Sequence, residues 1–290
     1  MTNILNMLVL FRHGMEDSTN IVLFGLSVTD LIFSCSETFN RIISIVFRLD
    51  FFLAYTLSGY YIVGFMNVSN YAMCTSVWMV SIISFERMLA VCFPFLTSTI
   101  ITPKRMKFMV TIVYVVLAIL YIPFFVTYDL DWGFDSRYNK TLIILLNRKE
   151  YLNNKWWIDI FADDILPALG TTVPMTTILF CTFATIASLR KATKNIGNLT
   201  TSLTKRVKEM RSIKISLIIC CGMAFSVLIP NACLDAYPTI KGEYLPPYLA
   251  LFIRSFTQVA VQFNASMNFF IYVALSSKFK KTCLKLIHWK

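Results

Sequence analysis

The chain of 290 residues is 57% hydrophobic and 15% charged, with 25 phenylalanines and a mean hydropathy of +0.64; this mixture excludes a disordered chain or a disulfide scaffold and suits a bilayer. The net charge of +11 falls mostly between long apolar runs, where it fits a membrane surface and cytoplasmic partners better than nucleic acid. Eight cysteines, at 35, 74, 92, 181, 220, 221, 233 and 283, lie in or beside apolar segments, as thiols packed in a helix bundle would and a secreted framework would not.

The first apolar stretch runs from Met1 to Phe11 and shows neither a basic leader nor a small-residue cleavage site. Such a length covers about 16 Å, roughly half the hydrocarbon thickness. The first helix is therefore expected to be cut off at its outer end. Further apolar stretches follow at 18–46, 57–89, 106–128, 165–189, 211–236 and 247–275. The segment from Arg190 to Lys214 is basic and rich in Thr and Ser, and is expected to continue its flanking helices. Ser276 to Lys290 forms a short amphipathic tail. These elements predict an all-α membrane protein, one seven-transmembrane bundle over residues 1–290 with a short eighth helix.

Placing the loop at 12–17 in the cytoplasm puts eighteen Lys and Arg against four acids on that side and nine basic against eleven acidic residues on the other. This asymmetry predicts a multi-pass plasma-membrane protein with its amino terminus outside. The sequon at Asn139 then falls in an outer loop, where glycosylation can occur, whereas those at Asn67, Asn198 and Asn264 fall in helices or the inner loop.

Several polar residues inside these stretches are candidates for function. Asp30 lies in the middle of the second helix and must be hydrated, paired or protonated; tolerance in a wet crevice is the bland alternative. Glu86-Arg87 ends the third helix, where the acid is expected to hold the guanidinium until a partner or a helix movement releases it; a solvated helix end is the simpler reading. Asn264 and Asn268 share one face of the seventh helix ahead of Tyr272, as interhelical glue or as part of a switch.

In this order the motifs resemble those of rhodopsin-like (class A) G-protein-coupled receptors over almost the whole chain. Leu26 to Asp30 is similar to the family's Leu-Ala-x-x-Asp, Glu86-Arg87 to Asp/Glu-Arg-Tyr, Asn268 to Tyr272 to Asn-Pro-x-x-Tyr, and Phe279-Lys280 to the start of the eighth helix. Pro174 and Pro230 match the prolines of helices five and six, and Asn3 or Asn6 the first-helix asparagine, with spacing favouring Asn3. The stretches 14–20, 83–87 and 100–105 look most like gastropod chemosensory receptors and, in the same places, invertebrate FMRFamide-type neuropeptide receptors. The chain departs from the pattern at Tyr114 (usually Trp), Val227-Leu228-Ile229-Pro230 (usually Cys-Trp-x-Pro), Phe269 (usually Pro) and Met88 (usually Tyr). Ile62 lies near the position of the usual disulfide cysteine and residues 128–165 contain none, so a less constrained outer loop is expected.

The resemblance implies a ligand cavity among the outer halves of helices two, three, six and seven. Glu37 and Arg41 share one helix face, as do Arg254, Gln258 and Gln262; Asn67, Ser69, Asn70, Asn231 and Asp235 complete the candidates, although interhelical packing could account for half of them. Acid, amide and guanidinium suit a small polar or peptide ligand. Ser69 stands eighteen residues before Arg87, where aminergic members carry an aspartate, and residues 247–275 contain no lysine for a retinal Schiff base. The implied mechanism is a ligand-shifted equilibrium that frees Arg87 and opens a cleft for a heterotrimeric G protein, with the basic inner face also meeting anionic membrane lipids. Cys283 is either a palmitoylation site or an unmodified interfacial thiol. No cofactor is expected. His13 and His288 are the only histidines and no metal-ligand spacing exists, so an enzyme is not expected; a non-signalling transporter or channel built on Asp30, Asn264 and Asn268 is the nearer rival, though inverted repeats are absent.

Overall fold

The computed structural model describes residues 2–136, 138–194, 246–275 and 277–287, with residues 218, 221, 222, 224–228 and 230 between them. Asn231 and Asp235, and most of the sixth apolar stretch, lie outside the described residues.

Helix α1 (Thr2–His13) stops at Gly14, whose φ of +89° supplies the left-handed turn that an L side chain resists. Asp17 caps α2 (Ser18–Val46) through a bond from the Thr19 amide, and Asp50 caps α3 (Phe51–Tyr60) through bonds from the Phe52 and Leu53 amides. A π-helical turn (Tyr61–Phe65) joins α3 to α4 (Met66–Cys92), so the third span is one continuous rod from 51 to 92. Helices α5 (Pro94–Ile100) and α6 (Pro103–Phe125) both begin with proline, whose missing amide costs nothing in a first turn.

The fourth apolar stretch extends to residue 128 in sequence, yet α6 ends at Phe125, two residues after Pro123. Antiparallel strands β1 (Tyr128–Asp135) and β2 (Lys140–Asn147) follow, paired from Tyr128–Asn147 to Asp135–Lys140. This hairpin is the one sheet among the described residues, whose other elements are helical. The all-α expectation missed it, although apolar Tyr128, Leu130, Trp132 and Phe134 alternate with Asp129, Asp131, Gly133 and Asp135 at the period of a strand; in the structure Trp132 and Phe134 are exposed. The segment 128–165 has no cysteine, and its described residues pair as a hairpin without one. Buried Leu142 and Ile143 hold it, together with Tyr138 packed on Phe51 and Phe52 and the Lys140 ammonium 3.9 Å from the Phe52 ring centre.

The fifth span begins sixteen residues before the apolar stretch. Helix α7 (Lys149–Ile160) leads through π-helical turns at Phe161–Ile165 and Ala168–Thr172 into α8 (Val173–Lys194). Hydropathy misses its first turns because Glu150, Lys155, Asp159, Asp163 and Asp164 make them polar. In the second π turn the Val173 amide bonds Ala168 O. The residue that would serve Leu169 O in the same register is Pro174, which has no N–H. The indole of Trp78 on α4 donates to that carbonyl at 3.0 Å and satisfies it. Gly170 makes the approach possible, since a Cβ there would stand 2.9 Å from Cys74 Sγ.

Helix α9 (Pro247–Leu275) is unbroken, consistent with Phe269 keeping the amide that proline would remove, and the amphipathic α10 (Ser277–Ile287) follows it. The core centres on α4: Met79 and Ile83 lie among Leu10, Leu26, Met106, Met175 and Ile178, with Tyr272 and Phe279 at its α10 end. Four helical spans among the described residues (Ser18–Val46, Phe51–Cys92, Pro103–Phe125 and Lys149–Lys191) are long and apolar enough to cross a membrane, and the apolar α9 is followed by α10 after a bend of 103°.

Candidate functional site

Asp30 is buried near the middle of α2, where an unpaired charge is costly. Two helices answer it: Ser76 of α4 donates to Oδ1 at 2.9 Å and Asn268 of α9 donates to Oδ2 at 2.8 Å. Asp30 and Asn268 were each conspicuous in the sequence, but nothing there paired them, and Ser76 gave no signal among the many hydroxyls of α4. Asn264 is also buried one turn before Asn268, and Tyr272 one turn after it. Asn268 Oδ1 and the Tyr272 hydroxyl are buried with no hydrogen-bond partner among the described residues, and the Tyr272 ring lies 5.5 Å from that of Phe279 on α10. Asn3 and Asn6 are both buried and bond each other at 3.5 Å rather than Asp30.

At the α10 end, Glu86 is buried and Arg87 half-buried. The acid does not hold the guanidinium directly. Thr19, in the first turn of α2, donates through Oγ1 to Glu86 Oε1 at 2.6 Å and accepts from Arg87 Nη2 at 2.8 Å, and Ser18 adds a bond to Glu86 Oε1 at 3.2 Å. Sequence reasoning missed both hydroxyls, whose visible signal was their place after the Asp17 cap. On the same end His13 bonds the Thr282 hydroxyl at 2.9 Å, tying α1 to α10. Cys283 is 4% exposed and packs into the core, and burial pushes its thiol pKa up, which disfavours the thiolate that acylation uses.

Towards the hairpin end, the buried Glu37 accepts from Ser69 at 2.8 Å and from the Tyr61 hydroxyl at 3.1 Å, both through Oε1. Its Oε2 and the Nη2 of Arg41, one turn along α2, are buried and without partners among the described residues. Asn67 donates to the carbonyl of Phe124 at 3.1 Å, which caps the end of α6 and accounts for its burial structurally. Asn70 and Arg254 are exposed and Gln258 and Gln262 half-buried; none of the four joins the bonds around Glu37. Asn139 is exposed at the hairpin turn with φ of 51°, a conformation asparagine tolerates. Groups of three or more His, Cys, Asp or Glu able to hold a metal are absent among the described residues.

The carboxylate bonded across three helices, the acid and arginine at the end of a buried rod, and the tyrosine packed on a short terminal helix stand in one chain order. A family model described as 7 transmembrane receptor (rhodopsin family) matches residues 2–272. A comparison with curated proteins gives no match. That match takes in nearly the whole chain, so the protein belongs to the rhodopsin family of seven-transmembrane receptors, multi-pass membrane proteins that signal and are not enzymes.

Proposed function

We propose that the protein is a plasma-membrane receptor, amino terminus outside, that binds a small polar or peptide ligand near Glu37 and Arg41 and activates a heterotrimeric G protein in a chemosensory role. The observation that carries the ligand class is the pair of orphaned atoms, Glu37 Oε2 and Arg41 Nη2. A buried polar group left unsatisfied costs about 1–3 kcal/mol. A ligand offering a donor to the carboxylate and an acceptor to the guanidinium relieves both. Ser69 and Tyr61 fix the carboxylate beforehand, so little ordering is needed when the ligand arrives.

Signalling follows as a population shift: a ligand that prefers the arrangement in which Arg87 is free draws the receptor towards it. The chemosensory role is supported by the resemblance at residues 14–20, 83–87 and 100–105. A peptide terminus offers the same donor and acceptor, which makes a neuropeptide receptor the second reading.

The test is expression in cells carrying a panel of G proteins, with surface display measured and free amino acids and short amidated peptides applied. Activation by one class, lost in Arg87→Ala at equal surface level, supports the reading and chooses between the two roles. Surface display with no activation by any probe, accompanied by ion flux, would replace it with a channel or transporter.

A further inference from the structure

Glu86 and Arg87 are consecutive on α4, and no direct ion pair or hydrogen bond joins them among the described residues. The hydroxyl of Thr19 spans the gap. It has one proton and two lone pairs; the proton goes to Glu86 Oε1 at 2.6 Å and a lone pair receives Arg87 Nη2 at 2.8 Å. Both bonds involve charged groups, and each polarises the hydroxyl in the sense that strengthens the other. Thr19 is itself fixed, because its amide bonds the Asp17 carboxylate at 3.1 Å. Ser18 touches only the acid, while Glu86 Oε2 and Arg87 Nε have no partner among the described residues. Among the described residues, the hydrogen bond that restrains the guanidinium therefore comes from α2.

We propose that Thr19 is the positioning residue of the coupling switch: its hydroxyl retains Arg87 against α2, and breaking that bridge is a step in making the arginine available to a cytoplasmic partner. This rests on the G-protein reading above. The first turn of α2 thereby acquires a role in setting ligand-free activity.

The experiment compares wild type, Thr19→Val, Thr19→Ser and Arg87→Ala at matched surface level, reading ligand-free and probe-driven nucleotide exchange on G-protein heterotrimers and amide hydrogen exchange over residues 84–92. Thr38→Val is the control, since Thr38 is exposed and bonds only Ser34 O in its own helix. Thr19→Val keeps the side-chain shape and removes the hydroxyl. It is expected to raise ligand-free nucleotide exchange about tenfold, the shift that about 1.4 kcal/mol gives and within reach of one charged hydrogen bond, and to speed amide exchange. Thr19→Ser restores both, and Thr38→Val changes neither. If Thr19→Val signals as wild type while Arg87→Ala abolishes probe-driven signalling, the proposal fails and the receptor reading stands. If Thr19→Val loosens the segment and serine does not restore it, the methyl and not the hydroxyl is responsible, and the proposal fails. If wild type and every variant leave all G proteins silent, the receptor reading fails and takes the proposal with it.

Discussion

Replacing Trp78 with phenylalanine removes the indole N–H and leaves most of the ring. The Leu169 carbonyl then loses the donor it has at 3.0 Å. It cannot turn to its own helix, because Val173 bonds Ala168 O and Pro174 has no amide proton. Water is absent from the hydrocarbon region, so the carbonyl stays unsatisfied. An unsatisfied acceptor costs about 1–3 kcal/mol, and interhelical bonds measured in membrane proteins fall near the lower end of that range. A loss of about 1–2 kcal/mol is expected, equivalent to a Tm lower by about 2–8 °C for a chain somewhat larger than an ordinary domain. Thermal unfolding of purified receptor in lipid nanodiscs measures it, and a double-mutant cycle isolates the bond. Pro174→Ala supplies an amide at position 174 that can serve Leu169 O in the π register. Trp78→Phe should therefore cost less in the Pro174→Ala background than in the wild type. If the two changes add within about 0.5 kcal/mol, the usual limit for independent sites, the account of this carbonyl is wrong.

Three further outcomes follow from the geometry. Asp30→Asn keeps one acceptor and lets the Asn268 amide reverse to accept a bond, so it should fold; Asp30→Leu strands the Ser76 and Asn268 donors and should lower stability by about 2–4 kcal/mol, read as lost surface display and Tm. Glu37→Gln retains an acceptor for Ser69 and Tyr61 but removes the charge, so the concentration of activating ligand should rise about tenfold or more with Tm little changed; an unaltered dose response would remove Glu37 from the ligand site. Asn139→Gln should abolish an endoglycosidase-sensitive mobility shift of protein from a eukaryotic host without loss of folding, because the residue is exposed at a turn; a shift that survives would place the glycan elsewhere.

The fold class and the buried polar residues were legible because a bilayer imposes long apolar helices and makes each polar residue within them conspicuous. Asp30, Asn268 and Tyr272 stood out for that reason, and the tertiary structure brings the first two into contact at 2.8 Å. The early start of the fifth span at Lys149 was hidden because polar turns that extend a helix beyond the apolar run leave no hydropathy signal. The hairpin did leave one, in the alternation from Tyr128 to Asp135, but a period of two is faint beside twenty-residue apolar runs.

Sequence alone determined the membrane class, the order of the spans and the residues whose charge or amide had to be answered inside them, since these follow from local composition and helical period. Tertiary structure decided the partners. Ser76 answers Asp30, Trp78 serves the carbonyl that Pro174 leaves open, and Thr19 stands between Glu86 and Arg87. Each of these is a hydroxyl or indole common in helices, ordinary in its own segment, and its role depends on which helix lies across from it, a distance of 46 to 91 residues along the chain.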